Sequence, residues 1–316
     1  MKILVTGGLG FIGSHLIDQL LQLEQVKEVI NIDSSTYAAN KNLKFKPKNK
    51  YIHYKLDIND QKLNYIFDIH KISYVIHLAA ESHVDNSIDD STPFIQTNIN
   101  GTHNLLKICL KSKNFKKFIH VSTDEVFGSL NFDEESFKET SPYKPNSPYA
   151  SSKAASDLIV RSFNKTYGFP SIITNCSNNF GPRQHSEKII PKSILNLKNK
   201  IPIPIYGNGS NIRDWIFVKD HAKALIEVFL NGSVGKQYLI GGNNELCNLR
   251  LVNIIKEEYC NLTNDNILDD WYSFVGDRKG HDLRYSIDCS PFSNEFTNWK
   301  LSDFRESIRD TIKYYI

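Results

Sequence analysis

A tyrosine and a lysine four positions apart are the first residues whose spacing indicates catalysis. Tyr149 and Lys153 share one face if residues 149–168 form a helix, because positions i and i+4 are neighbours there. An ammonium favours a nearby phenolate, so we expect Lys153 to lower the pKa of Tyr149 and let it act as a base. Two other pairs have the same spacing but lie in a loop-like and a strand-like stretch: Tyr37 with Lys41, and Tyr51 with Lys55.

Two adjacent carboxyl groups form a second candidate for catalysis. Asp124 and Glu125 follow the apolar run 118–122, which reads as a buried strand. Ligands bind beyond the carboxyl ends of the strands in a parallel sheet. There, one carboxyl group can act as a general acid and the other as a general base. Taken alone, the segment would also fit a turn that caps a helix.

Glycines close to the first residue predict a dinucleotide site. In the segment ILVTGGLGFIG, both Gly7-Gly10-Gly13 and Gly8-Gly10-Gly13 match a glycine motif between a strand and a helix. Such a turn lets backbone N–H groups approach a pyrophosphate at the helix N-terminus. Asp33 ends the next strand, 20 residues after Gly13. Its carboxylate can accept both ribose hydroxyls and would repel a 2′-phosphate, so the pattern favours NAD over NADP.

The elements that must position these groups alternate along the chain. Apolar runs separated by amphipathic stretches predict right-handed βαβ units, and therefore an α/β fold with a doubly wound parallel (Rossmann) sheet. The predicted strands are 2–6, 28–33, 51–56, 74–79, 118–122 and 171–177, and the predicted helices are 14–25, 60–71, 92–113 and 149–168. Residues 302–316 read as a final helix with Ser302 as its N-cap.

Prolines and glycines loosen this alternation after Gly181 and Pro182. We therefore expect an NAD-binding domain at 1–180, to which 213–241 returns. The remaining segments, 181–212 and 242–316, are expected to form a smaller substrate-binding lobe.

Composition limits the class of protein. The chain has 316 residues, of which 40% are hydrophobic and 23% charged, and a net charge of +3. This charge gives no basic field for nucleic acid, and no apolar run approaches the roughly 18 residues of a membrane helix. The first residues read as a strand and not as a signal peptide. Five cysteines without zinc-type spacing predict no metal site and reduced thiols in a cytoplasmic protein.

Seven segments resemble those of dTDP-glucose 4,6-dehydratases, a family of extended short-chain dehydrogenases/reductases. The resemblance runs from residue 1 to about residue 290. Related epimerases lack the Asp-Glu pair at 124 and 125. The segments are TGGLGFIG, LAAESHVDNSI, STDEVFG, SPYASSK, NCSNNFGPRQHSEKIIP, PIYGNGSNIRDWIFVKDHA and DRKGHDLRY.

The resemblance implies a lyase that uses bound NAD on dTDP-glucose or UDP-glucose in 6-deoxysugar (rhamnose-type) biosynthesis. The sugar is oxidised at C4, loses water across C5 and C6, and is reduced at C6. By resemblance, Tyr149 is the base at the 4-hydroxyl, Thr123 orients that hydroxyl, and Lys153 holds the nicotinamide ribose. Glu125 takes the C5 proton, and Asp124 protonates the departing C6 hydroxyl.

The resemblance also implies binding residues and a homodimer through helices 92–113 and 149–168. The implied NAD-binding residues are Gly7, Gly10, Phe11, Ile12, Gly13, Asp33, Ser34, Ser35, Thr36, Asp57, Ile58, Leu78, Ala79, Ala80, Glu81, Ser82, Thr97, Tyr149, Lys153 and Asn179. The implied substrate-binding residues are Ser82, Thr123, Asn178, Lys188, Ile189, Pro204, Ile205, Tyr206, Arg213, Asn248, Asp277, Arg278, Lys279, Gly280 and His281.

Departures from the family pattern leave the nucleotide base open between dTDP and UDP. Phe127 replaces the usual tyrosine, the link from Gly128 to Pro148 is short, and residues 183–186 differ from the usual segment. Two other functions stay open. A nucleotide-sugar 4-epimerase would need NAD, the tyrosine and the lysine, but no acid/base pair. A non-catalytic NAD-sensing protein would need only the dinucleotide site.

Overall fold

The central element of the computed structural model, which describes residues 1–266, 270–277 and 280–316, is a parallel sheet of seven strands. The strand order is β10-β6-β5-β4-β1-β2-β3, and all neighbouring strands run parallel. This confirms the predicted α/β fold with a doubly wound sheet. The strands are β1 Lys2–Thr6, β2 Glu28–Asp33, β3 Tyr51–Lys55, β4 Tyr74–His77, β5 Lys117–Thr123, β6 Ser171–Cys176 and β10 Gln237–Ile240.

Helices cover both faces of this sheet, which is why its central strands are apolar on both sides. Along β1, Ile3 and Val5 belong to one core cluster and Leu4 to the other, as the strand period of two requires. One face packs against α1 Phe11–Leu20 and α8 Val218–Asn231. The other packs against α2 Lys62–His70, α5 Thr102–Lys111 and α6 Pro148–Tyr167.

Two of the predicted helices differ from the expectation. The first covers Phe11–Leu20, not 14–25, because the turn at Gly10 starts the helix directly and residues 21–27 turn back to β2. The predicted helix 92–113 consists of α4 Thr92–Phe94, a π-helical stretch Ile95–Gly101 and α5. A side chain at Gly101 would lie 2.3 Å from the Ile58 side chain, so this close approach requires glycine.

The last helix, α11 Phe304–Tyr315, begins one residue later than its predicted cap allows. The prediction of Ser302 as N-cap is wrong, because Asp303 accepts the hydrogen bond from the Glu306 N–H at 2.9 Å. Ser302 instead donates through its N–H and hydroxyl to the buried carboxylate of Asp220, at 2.7 and 2.9 Å.

A second, smaller group of elements packs beside the sheet around its own core. A three-stranded sheet is ordered β11-β9-β7, and β12 pairs with β8 in a separate ribbon. These elements are β7 Asn178–Phe180, β8 Ile203–Tyr206, β9 Ile212–Phe217, β11 Glu245–Cys247, β12 Tyr272–Val275, α7 Ile189–Lys198 and α9 Asn248–Thr263. Two short helices, α3 Val84–Asp89 and α10 Ser290–Glu295, complete the described elements.

The division into domains remains a proposal, and two observations bear on it. The strand β10 lies at one edge of the main sheet and α8 packs on that sheet, which supports the return of 218–241, whereas residues 213–217 lie in β9 of the smaller group. Phe292, Phe296 and Trp299 also belong to the core cluster that contains Ile3 and Val5, so we place residues 290–299 with the first domain. Among the described residues, no helix is long and apolar enough to cross a membrane.

Candidate active site

A cavity of about 580 Å³ lies at the carboxyl ends of the central strands and beneath the smaller lobe. It is lined by all five candidate catalytic residues: Thr123, Asp124, Glu125, Tyr149 and Lys153. Every residue implied to bind NAD lines it except Ser35. Of the residues implied to bind substrate, all that the structure describes line it except Asp277, which lies 2.6 Å from the His281 ring. Arg278 and Lys279 lie outside the described residues.

The glycine turn after β1 has the form that a pyrophosphate requires. Gly7 has φ 72°, and a side chain there would lie 2.8 Å from the Ala79 nitrogen. A side chain at Gly13 would lie 2.2 Å from the Gly7 carbonyl oxygen. No side chain caps the first turn of α1, which begins at the cavity. The register Gly7-Gly10-Gly13 therefore faces the cavity, whereas Gly8 packs on other side chains.

Asp33 is fixed at the end of β2 by backbone donors. Its Oδ2 accepts from the Leu9 N–H at 2.9 Å and its Oδ1 from the Ser35 N–H at 2.8 Å. Each oxygen keeps lone-pair capacity toward the cavity, which fits a ribose diol. Ser35 does not line the cavity, and its contribution is this backbone contact with Asp33. The residues present thus fit a dinucleotide with an unphosphorylated ribose.

The catalytic candidates on β5 follow the strand without a gap. The strand ends at Thr123, and a single turn of 3₁₀-helix carries Asp124 and Glu125. Thr123 Oγ1 accepts from the Glu125 N–H and donates to Asp124 Oδ1, both at 3.3 Å. Asp124 is buried, and its Oδ2 has no hydrogen-bond partner among the described residues.

The two carboxyl groups differ in environment. Burial raises the pKa of Asp124 well above its usual value, and the charges of Glu125 and Asp214 add to the effect. Glu125 is partly exposed on the cavity side. A buried carboxyl that holds its proton beside a wetter carboxylate is the arrangement of a general acid next to a general base.

The helix α6 brings Tyr149 to these carboxyl groups. Ser147 caps the helix by accepting from the Ala150 N–H at 3.1 Å, and Pro148 occupies its first turn. Tyr149 is therefore the second residue of the helix, and its hydroxyl hydrogen-bonds to Thr123. The phenol, Thr123 and the carboxyl pair thus meet at one end of the cavity.

The lowering of the Tyr149 pKa by the Lys153 ammonium stays a prediction. Burial raises the pKa of Tyr149 well above its usual value, followed by the charges of Glu125, Cys176 and Asp124, and the hydrogen bond with Thr123 acts in the opposite direction. The Lys153 ammonium donates to the Val121 carbonyl oxygen at 2.8 Å. Helical spacing placed both residues correctly on one face, but a backbone acceptor holds the ammonium. The two competing pairs lie in β3 and in a loop, as predicted.

Arg213, predicted to bind a diphosphate, has part of its guanidinium committed to the main chain. It donates to the carbonyl oxygens of Ile212 and Asp282 at 2.7 and 2.9 Å, and stacks 4.2 Å from the centre of the Tyr285 ring. It lines the cavity, but it also fastens residues 280–285 to β9. The prediction did not include this second role.

Tyr285, Asp282 and Cys176 are among the cavity residues that the sequence reasoning missed. Tyr285 and Asp282 share a hydrogen bond, and the charge of Glu125 raises the pKa of Tyr285 after the larger effect of burial. Both lie in the segment DRKGHDLRY, whose first five residues alone were assigned. Cys176 pairs in register with Thr123 across β5 and β6, and burial raises its pKa to about 12. Its place at a strand end was the available signal.

Known proteins share this fold and much of this sequence. The chain matches the family model described as GDP-mannose 4,6-dehydratase over residues 4–311. The dTDP-glucose 4,6-dehydratase of Haemophilus influenzae is 46% identical, with 100% of this chain and 98% of that protein covered. The solved dTDP-glucose 4,6-dehydratase of Streptomyces venezuelae, with NAD bound, has a TM-score of 0.90 at 39% identity. The match covers 100% of this chain and 97% of that chain. The solved UDP-glucose 4-epimerase of Thermotoga maritima, with UDP-glucose, has a TM-score of 0.89 at 27% identity and covers 100% and 98%.

Proposed function

We propose that this chain converts dTDP-glucose to the 4-keto-6-deoxy sugar nucleotide and water. The chain belongs to the dTDP-glucose 4,6-dehydratases within the GDP-mannose 4,6-dehydratase family. It is an NAD-dependent hydro-lyase. The observation that carries the proposal is the pair Asp124 and Glu125, beside Tyr149 at one end of the cavity.

NAD supplies reversible hydride transfer to this reaction when it is bound. The glycine turn with Gly7 and Gly13 would hold the pyrophosphate, and Asp33 the adenosine ribose. Lys153 and Asn179 line the same cavity, and we assign them to the nicotinamide end. The remaining NAD-binding assignments given above are proposals of the same kind.

Oxidation at C4 requires a base at the 4-hydroxyl. We assign Tyr149 to take that proton and Thr123 to orient the hydroxyl, since the two side chains already share a hydrogen bond. The ketone must precede elimination, because an unactivated C5–H bond is far too weak an acid for a carboxylate. Once C4 is a carbonyl carbon, the C5 proton is α to it and within the range of a carboxylate base.

Elimination requires an acid and a base at the same time. We assign Glu125, the more exposed of the pair, to take the C5 proton. Asp124, which burial keeps protonated, gives its proton to the C6 hydroxyl as that group leaves as water. The proton held by Glu125 returns to C5 when C6 is reduced. The proton that Tyr149 took from the 4-hydroxyl offsets the one that Asp124 gave to the departing water, and its return to Asp124, directly or through solvent, restores all three groups.

The two alternative functions would not use this carboxyl pair. A 4-epimerase needs the same fold, and this chain resembles the Thermotoga maritima epimerase in overall structure. It has no leaving hydroxyl to protonate, so a buried, proton-holding Asp124 would have no task. An NAD-sensing protein would need neither Asp124 nor Tyr149.

The substrate contacts and the nucleotide base are also part of the proposal. Lys188, Arg213 and Asn248 line the cavity on the side of the smaller lobe, where we place the diphosphate and the nucleoside. We favour dTDP-glucose over UDP-glucose because of the relatives cited above. The two bases differ by a methyl group, worth about 1–3 kcal/mol in a pocket.

Assembly and location complete the proposal. The faces of α5 and α6 expose large apolar side chains, among them Leu110 and Leu158, which we assign to a homodimer contact. All five cysteines are free thiols, which favours a reducing compartment, and we propose the cytoplasm.

The test is formation of the 4-keto product from each nucleotide sugar. The purified chain is incubated with dTDP-glucose and, separately, with UDP-glucose, and the absorbance that develops in alkali is recorded. The proposal predicts a keto product from dTDP-glucose with the larger kcat/KM. Equal kcat/KM values would remove the assignment of the base, and no keto product from either sugar would remove the proposed activity.

A further inference from the structure

A buried carboxylate lies behind the catalytic residues and takes no part in the proposed reaction. Asp157 follows Lys153 by one helical turn on α6, is 1% exposed and does not line the cavity. Removing a carboxylate from water costs several kcal/mol unless charges and hydrogen bonds compensate. Its presence in the interior therefore calls for a partner.

Neutral donors surround this carboxylate. Asp157 Oδ2 accepts from the hydroxyls of Ser122 and Tyr143 at 2.9 and 3.0 Å, and from Asn175 Nδ2 at 3.1 Å. His120 Nε2 lies 3.1 Å from Oδ1, and burial lowers the pKa of this histidine, so its ring is neutral. These donors orient the carboxylate without cancelling its charge.

The charge of Asp157 acts on the buried ammonium of Lys153, which is 4% exposed and lies one helical turn away on α6. The ammonium binds the carbonyl oxygen of Val121, and Ser122, the next residue of β5, binds Asp157. Two opposite charges, one turn apart on α6, are thus attached to adjacent residues of one strand. This geometry pairs them electrostatically through a dry, hydrogen-bonded layer.

The other titratable groups that act on Lys153 come from three strands of the sheet. They are His77 on β4, His120 on β5 and Cys176 on β6. Burial keeps both histidines neutral and raises the pKa of the thiol to about 12. Burial lowers the pKa of Lys153, and the charge of Asp157 is the largest influence in the opposite direction.

The same carboxylate is tied to the catalytic end of β5. Asn175 Nδ2, which donates to Asp157, also donates to the Thr123 carbonyl oxygen at 2.9 Å. Gln237 closes the network by donating to Asn175 Oδ1 at 2.8 Å and to the Tyr143 hydroxyl at 3.0 Å. The hydrogen bonds to Asp157 Oδ2 therefore link α6 to the ends of β5, β6 and β10.

We propose that Asp157 is a positioning residue, the fixed counter-ion of the Lys153 ammonium and the anchor of the strand end that carries Thr123. It touches neither substrate nor cofactor and acts through those two residues. The inference rests on the proposed function only in the catalytic roles given to Lys153 and Thr123. The pairing of charges can be tested without any turnover.

The first test compares thermal unfolding of Asp157→Asn and Tyr143→Phe, as purified holoenzymes, between about pH 6 and pH 10. Both variants weaken the same network, but only the first removes a charge. Without its counter-ion, the Lys153 ammonium has a folded-state pKa further below its unfolded value. That penalty is present in full below the lowered pKa, shrinks as pH rises above it, and vanishes at the unfolded pKa of about 10.4.

The counter-ion role therefore predicts a loss of Tm in Asp157→Asn that shrinks as pH rises. The loss in Tyr143→Phe should stay the same up to about pH 9, because the tyrosine is protonated in both the folded and the unfolded chain below that pH. Parallel curves for the two variants would overturn the proposal, since a hydrogen-bonding role alone gives a loss independent of pH in both.

A second variant covers the case in which Asp157→Asn does not fold. Adding Lys153→Met removes the unpaired ammonium, so the double variant should be recovered as folded protein with a higher Tm than Asp157→Asn. A double variant that is no more stable than Asp157→Asn would show that the two charges are not coupled, and would contradict the proposal.

Activity supplies a third readout. The kcat/KM of the parent is divided by that of Asp157→Asn at each pH, so that groups with the same titration in both proteins do not affect the result. This ratio should grow about tenfold between neutral and alkaline pH, because Lys153 loses its proton in the variant. A constant ratio would overturn the inference about Lys153 while leaving the 4,6-dehydratase activity of the parent intact. Absence of keto product from the parent would instead refute the proposed function, and the unfolding curves would still decide the pairing of charges.

Discussion

At the scale of single residues, two neighbouring carboxyl groups are made chemically different by their surroundings. Asp124 is buried beside the charge of Glu125, and a shared site cannot easily ionise twice. Asp124 is consequently the group that keeps its proton. The roles that we propose for the two carboxyl groups in the elimination step rest on this difference in burial.

The Glu125→Gln variant tests the base. It should still oxidise C4, but elimination should stall for want of a base, so the absorbance of reduced NAD bound to the protein should accumulate. We expect kcat to fall by roughly 10²- to 10⁴-fold, the usual contribution of a general base. Rapid-scanning absorbance during one turnover gives the measurement, and normal turnover by the variant would remove Glu125 from its role.

Tyr149→Phe should block the reaction one step earlier. Without the phenol, the 4-hydroxyl has no base, so no reduced NAD should form when substrate is added. Tyr65→Phe is the matched control, because Tyr65 lies exposed on α2 and should leave the signal unchanged. Strong formation of reduced NAD by the Tyr149 variant would contradict its assignment.

The raised pKa of Asp124 has a consequence for stability. A carboxyl whose folded-state pKa is raised contributes stability that is present below its unfolded pKa and is lost as pH rises through the folded value. Asp124→Asn removes that loss, so its Tm at about pH 7 should exceed the parent's by roughly 2 °C or more, and the gain should shrink toward about pH 4. A Tm equal to or below the parent's at neutral pH would show that Asp124 is ionised in the fold.

At the scale of elements, the sequence predicted best what depends on local periodicity. The runs of apolar residues located the strands, and the spacing of Tyr149 and Lys153 placed both on one face of α6. The bond of Lys153 to the Val121 carbonyl oxygen was not predictable, because it depends on how α6 packs against β5. The same holds for Arg213, whose carbonyl partner at Asp282 is distant in sequence.

The sequence could also not decide between neighbouring residues that suit the same structural role equally well. Ser302 and Asp303 are both good N-cap residues, and only the position of Asp220 in the fold decides between them. By residue type and spacing alone, Gly7 and Gly8 both fit a glycine motif. Positive φ at Gly7 and its close approach to Ala79 decide that register.

The turn between β1 and α1 offers a prediction at this scale. Gly13→Ala places a methyl group 2.2 Å from the Gly7 carbonyl oxygen, so the turn must distort and the purified protein should lose most of its bound NAD. Gly168→Ala is the control, since it also strains the backbone, at φ 62°, but its methyl group meets nothing within 4 Å and it does not line the cavity. NAD content released by denaturation is the measurement, and full retention by the Gly13 variant would contradict the placement of the pyrophosphate.

At the scale of the whole molecule, the apolar surface on α5 and α6 is the feature that a single chain leaves unexplained. Leu158 on α6 is 56% exposed and Leu110 on α5 is 43% exposed. If the proposed homodimer uses this face, Leu158→Lys should shift the mass in solution from dimer to monomer at micromolar concentration. Tyr65→Lys, on an outer face of α2, should not shift it. A parent protein that is monomeric would contradict the assembly.

The order of hydride and water chemistry over one sugar is the central claim, and dTDP-glucose carrying deuterium at C4 tests it most directly. The mass spectrum of the product should show the loss of one water with the deuterium retained, and fragmentation should place that deuterium at C6. A product with the same mass as the substrate, or one that has lost water with the deuterium still at C4 or lost to the solvent, would contradict the account.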